Sequence, residues 1–148
     1  MRFDNVLAEL GRATGLDGLA PDADGGCCLN FDGEQEVTLI QDREEDAVFL
    51  YGIVAGAEAL REAETCRLLL AASCLGADTG GAAFALYGNS VILWKRCGEF
   101  ADRIALEKTL NDFLAQLARW KEKLADAVFR TGGSASPGIS VSRSWLMP

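Results

Sequence analysis

Apolar positions recur along this chain with more than one spacing, and each change of spacing marks an element. Phe3, Val6, Leu7, Leu10 and Ala13 fall at helical intervals with Asp4, Glu9 and Arg12 between them, and Gly15 is placed to stop a short first helix. Residues 16–26 are rich in Gly, Asp, Ala and Pro, which favour turns and leave little to bury, so this stretch reads as a loop. Two strand-like runs, 27–31 and 36–41, flank Asp32-Gly33, a dipeptide suited to a tight hairpin turn. After the charged turn 42–46, residues 47–54 are β-branched and aromatic, and they extend the hairpin to a three-stranded antiparallel meander.

Helical spacing returns over 57–75, where Leu60, Leu68, Ala71, Ala72 and Leu75 lie close to one face and Gly76 follows. A second hairpin is expected from 82–87 and 90–95, joined by Gly88-Asn89. Ile104, Leu106, Leu110, Phe113, Leu114, Leu117, Trp120, Leu124 and Val128 then mark a long final helix. The order is α-β-β-β-α-β-β-α, without alternating strand–helix units, which predicts an α+β domain over residues 1–130 and not a doubly wound sheet. Residues 131–148 begin Thr131-Gly132-Gly133-Ser134-Ala135-Ser136-Pro137 and have the composition of a flexible tail.

The strands do not alternate strictly between apolar and polar residues, as a sheet with one wet face would. Val37, Leu39 and Ile40 stand in the second strand, Val48, Phe49, Leu50, Tyr51 and Ile53 in the third, and Val91, Ile92, Leu93 and Trp94 in the last. Both sheet faces are therefore apolar, more than one small core consumes. Helices on both sides of the sheet would absorb the excess; otherwise it implies a partner, either a second copy or a foreign chain.

Charge narrows the choice of partner. The formal net charge is −8, and residues 1–64 carry 15 acids against 4 bases while residues 65–148 carry 7 acids against 10 bases. An acidic N-terminal half repels phosphate backbones and anionic lipid heads, so neither nucleic acid nor a membrane is the expected partner. No stretch approaches the roughly 18 apolar residues of a membrane span and no apolar signal core opens the chain, which leads us to expect a reducing cytoplasm.

Catalytic chemistry is hard to assemble from these residues. The chain has no histidine, which removes Ser-His-Asp and Cys-His arrangements and the usual Cys/His zinc site. Gly25-Gly26 and Gly80-Gly81 match neither a P-loop nor a dinucleotide fingerprint, so no cofactor is expected. Asp42, Glu44, Glu45 and Asp46 crowd one turn without calcium-loop spacing and read as a solvated acidic rim, with no metal. The five cysteines (Cys27, Cys28, Cys66, Cys74 and Cys97) contain no C-x-x-C pair; a thiol-dependent enzyme using Cys97 or the Cys27 and Cys28 pair stands as one alternative to a binding protein.

Leu68-Leu69-Leu70-Ala71-Ala72-Ser73-Cys74-Leu75-Gly76, followed by Gly80-Gly81-Ala82-Ala83-Phe84-Ala85-Leu86 and Val91-Ile92-Leu93-Trp94, resembles the central pattern of the specialised type III secretion chaperones, the Tir chaperone family. Leu110-Asn111-Asp112-Phe113-Leu114 leading to Trp120 and Leu124 is similar to that family's last helix, and Cys28-Leu29-Asn30-Phe31-Asp32-Gly33 falls where it has its first strands. The resemblance implies a small cytosolic bacterial homodimer that binds an extended segment near the N-terminus of a secreted effector and keeps it export-competent without hydrolysing nucleotide. It implies an effector groove at Leu7, Leu10, Leu29, Phe31, Val37, Leu39, Phe49 and Tyr51, and a dimer interface at Leu68, Leu69, Ala72, Leu75, Phe84 and Leu86. The secretion export ATPase is a further candidate partner. A protein-binding adaptor or regulatory module of related fold, working outside secretion, is the second alternative.

Overall fold

The computed structural model describes residues 2–16, 18–31 and 33–130, with the side chains of 127–130 excepted. Its elements are α1 (Phe3–Thr14), β1 (Gly26–Phe31), β2 (Gln35–Asp42), β3 (Ala47–Gly56), α2 (Ala63–Ser73), β4 (Ala83–Tyr87), β5 (Ser90–Cys97) and α3 (Arg103–Arg130). The expected α+β order is therefore present, and the tail predicted for 131–148 lies outside the described residues.

The meander and the second hairpin form one five-stranded antiparallel sheet, ordered β1-β2-β3-β5-β4. The hairpin joins through β5, whose Leu93, Ile92 and Val91 pair with Gly52, Ile53 and Ala55 of β3 across an irregularity in the register. β1 and β4 are left as the sheet edges.

One expected helix is divided. The chain stays in the sheet to Gly56, which pairs with Ser90, and Ala57 N–H still donates to the Asn89 carbonyl at 2.8 Å. Residues Ala57–Arg61 then form a tight 3-10 turn that buries Ala59, Glu62 is extended (φ −86°, ψ 121°), and only then does α2 begin. The sheet pairing holds the chain too long for a single helix over 57–75.

α1 and α3 cover one face of the sheet. Val6, Leu7 and Leu10 of α1 and Leu106, Leu110, Phe113, Leu117, Trp120 and Leu124 of α3 are buried with Cys27, Leu29, Val37, Leu39, Leu50 and Leu93 in one cluster. Each such leucine contributes about 1.5–3 kcal/mol through the water it excludes. α3 approaches β3 closely because residue 52 is glycine: a Cβ there would stand 2.7 Å from Leu117 Cδ2 and 3.1 Å from the Glu36 carbonyl oxygen. Trp120 fixes the other end, its ring 4.9 Å from Phe84 in an edge-on arrangement and its Nε1–H donating to the Asp78 carbonyl at 3.3 Å.

Candidate functional site

The sheet's second face carries its own apolar layer. Tyr51, Ile53 and Ile92 are buried in a cluster separate from the main core, with Ile40, Ala85 and Trp94 packed against them, and no helical residue joins it among the described residues. The pleat explains the division: neighbours along a strand point to opposite faces, so Val48, Leu50 and Val54 turn inward while Phe49, Tyr51 and Ile53 turn outward.

Register lines these residues into rows. Cys28, Thr38, Tyr51, Trp94 and Ala83 lie side by side across all five strands, flanked by the row Ile40, Phe49 and Arg96. The aromatic rings shelter one another, Phe49 lying 6.1 Å from Trp94 and Tyr51 stacking on Tyr87 at 5.7 Å. Burial pushes the Tyr51 hydroxyl up to about 12 and the Cys28 thiol up to about 11, against a hydrogen bond with Thr38 that acts to lower each. The negative charge of Asp22 acts on both in the same sense as burial. This face is therefore apolar with acidic surroundings, and among the described residues β1 at its edge pairs with β2 alone.

The structure separates the eight expected groove residues. Leu7, Leu10, Leu29, Val37 and Leu39 are core residues of the single chain, each 3% exposed or less. Phe31 is half-buried against that same core. Phe49 and Tyr51 stand on the outer face. The expected list mixed the two faces of the sheet and omitted three residues of the outer one: Ile53, two positions along from Tyr51, Trp94, paired with Tyr51, and Ile92, paired with Ile53.

The six expected interface residues divide similarly. Leu69 and Ala72 are buried in the core, and Phe84 packs on Trp120. Leu68, Leu75 and Leu86 are exposed, as is Leu70, which the periodicity did not single out. Among the described residues, five of the seven exposed large apolar side chains (Leu68, Leu70, Leu75, Leu86 and Tyr87) belong to α2, the turn after it and β4, so the exposed apolar surface described is concentrated at one end of the sheet. Leu75 is 99% exposed and has φ 54°, the one described non-glycine residue with a positive φ.

The thiols of Cys27, Cys28 and Cys97 are not activated. Burial raises Cys27 and Cys97 as well as Cys28, and Lys95 offsets the rise at Cys97 only in part. Among the described residues no helix is long and apolar enough to cross a membrane, and no group of three or more Cys, Asp and Glu is arranged to hold a metal ion.

The comparisons agree with the architecture. In the HopA1–SchA chaperone–effector complex, a chain 18% identical superposes with a TM-score of 0.67 over 81% of this chain and 93% of that one. In the ExsC–ExsE complex the values are 24% identity, TM-score 0.69, and 84% and 97% coverage. In the Yersinia pestis type III secretion chaperone SycH bound to a stable fragment of YscM2 they are 14%, 0.60, and 78% and 97%. No curated protein matches the sequence. The model of the Tir chaperone protein (CesT) family matches residues 5–121, most of the chain, and the protein belongs to that family.

Proposed function

We propose that this chain is a homodimeric type III secretion chaperone of the bacterial cytoplasm, which holds an extended segment near the N-terminus of a secreted effector on the outer face of its sheet. The observation that carries the reading is the apolar layer of Phe49, Tyr51, Ile53, Ile92 and Trp94, which no described helix covers. An extended guest lying across that face sets alternate side chains on the layer, and where it reaches β1 it gains backbone hydrogen bonds from the sheet edge. Binding of this kind needs no nucleotide. The raised thiols favour this reading over a thiol-dependent enzyme.

The second surface serves self-association: Leu68, Leu75 and Leu86, with Leu70, belong to α2, the turn after it and β4, and none of them is part of the outer-face layer. The groove residues are reassigned to the outer face, because Leu7, Leu10, Leu29, Val37 and Leu39 would have to leave the core to reach a guest. The test is co-expression with the N-terminal segment of a secreted effector encoded nearby. Trp94→Asp and Ile53→Asp should abolish co-purification while far-UV circular dichroism stays unchanged; retention of the guest by both variants would move the site elsewhere.

A further inference from the structure

The turn between α2 and β4 holds a backbone conformation that one of its residues resists. Leu75 and Gly76 are both left-handed (φ 54° and 67°), and Gly80 and Gly81 take the same sign (φ 64° and 87°). Glycine adopts this region freely, whereas a leucine is disfavoured there by roughly fivefold or more. Gly76 and Gly81 are also pressed together, since a Cβ on Gly76 would stand 2.5 Å from the Gly81 Cα. A residue strained in this way persists only where its surroundings fix it.

The fixing groups lie on α3 and β5. Arg119 donates to the Asp78 carbonyl at 2.9 Å and to the Asp78 carboxylate at 2.8 Å, and Trp120 Nε1–H shares that carbonyl. The hydrogen bond from Arg119 holds the Asp78 carboxyl below its ordinary range. Arg119 is itself seated by the Trp120 ring, 5.2 Å from its centroid. From β5, Lys95 Nζ donates to the Gly80 carbonyl at 3.0 Å. Within the turn, Gly81 N–H donates to the Gly76 carbonyl at 3.0 Å, and the buried Thr79 hydroxyl donates to the Ala82 carbonyl. A half-exposed ion pair such as Arg119 and Asp78 adds little stability of its own, so its effect is on the shape of the turn.

We propose that Arg119, together with Trp120, is a positioning residue for self-association: it locks the turn so that Leu75 stands out as a preformed anchor for a second copy of the chain. The proposal rests on the second surface being the self-association site. Leu75, 99% exposed, belongs to the same run of elements as the exposed Leu68, Leu70 and Leu86. Charge favours a second copy as the occupant. That run lies almost wholly within residues 65–148, with 7 acids against 10 bases, so two chains of net charge −8 meet through their less acidic part. A preformed anchor also spares the ordering cost that a loose turn would incur on binding.

Sedimentation equilibrium of the full chain tests this. Arg119→Gln should raise the dimer dissociation constant at least about fivefold. Asp78→Ala, which removes the ion pair from the turn's side, should act in the same direction, and Arg119→Lys should keep most of the unmodified affinity. In a Leu75→Gly background, where glycine is left-handed without help, Arg119→Gln should change the constant by less than about twofold. That coupling separates positioning from a merely structural role. Exchange of the Gly81 amide in the dilute monomer should quicken at least about fivefold in Arg119→Gln. An unchanged dissociation constant in Arg119→Gln and Asp78→Ala, or an equal loss with and without Leu75, overturns the proposal. A chain that is monomeric at every concentration overturns the self-association reading; quickened Gly81 exchange would then leave the lock on the turn standing without the partner.

Discussion

Ser73 on α2 reaches the edge of the sheet: its Oγ accepts the Phe84 N–H of β4 at 3.1 Å and donates to the Leu69 carbonyl at 2.8 Å. One hydroxyl thereby satisfies an edge donor that would otherwise invite another strand, and fixes α2 beside β4. Ser73→Ala should cost about 1 kcal/mol in urea denaturation and should speed hydrogen exchange at Phe84 more than at Leu93 in the sheet interior. Equal effects at the two amides would contradict this role.

Leu75 places an apolar side chain fully in solvent from a left-handed backbone conformation that costs a leucine about 1 kcal/mol. Leu75→Gly relieves that strain and frees the unfolded chain by a similar amount, so monomer stability should change by less than about 1 kcal/mol. Self-association should nonetheless weaken at least about tenfold, a typical effect of losing one buried interface anchor. Sedimentation equilibrium separates the two effects, and an unchanged dimer would remove Leu75 from the interface.

The two faces of the sheet should answer mutation differently. Leu39 is wholly buried under α1 and α3, and Leu39→Ala should cost about 2–5 kcal/mol. Trp94 is half-buried beside Phe49, and Trp94→Ser should cost less than about 2 kcal/mol while removing guest binding. The reverse ranking in thermal unfolding would mean that the outer face is the structural one.

Alkaline pH should destabilise the fold through Cys28 and Tyr51. Both groups are raised in the folded chain, to about 11 and about 12, so the folded state binds more protons than the unfolded one above their ordinary values of 9.0 and 10.0. The stability they contribute is complete below pH 9 and is lost as pH rises toward 11 and 12. The urea midpoint should fall across that window, and Cys28→Ala should flatten the lower part of the fall. A midpoint insensitive to pH from 9 to 11 would contradict the burial of these groups.

Much of the fold was legible because each element announces itself by local periodicity, as Val6, Leu7 and Leu10 do in α1 and Leu106, Leu110 and Leu117 in α3. The division of the helix expected over 57–75 was not, because the cause is the pairing of Gly56 with Ser90 far along the chain. The sheet face that each residue occupies was not legible for a related reason. Leu29 and Val37 face the helices while Phe49 and Tyr51 face outward, and only the register across β1, β2 and β3 reveals that these pairs belong to opposite sides. Three consecutive leucines, Leu68, Leu69 and Leu70, likewise cannot share one helical face, and the structure buries only the middle one.

The measurement that bears most directly on the central claim is multi-angle light scattering of the purified chain, alone and after co-expression with the N-terminal segment of a nearby effector. The purified chain should form a particle of two 15.8 kDa subunits whose mass rises by one guest chain, and the Trp94→Asp protein should keep the dimer mass but gain no guest. A monomer whose mass ignores the guest would contradict the central claim.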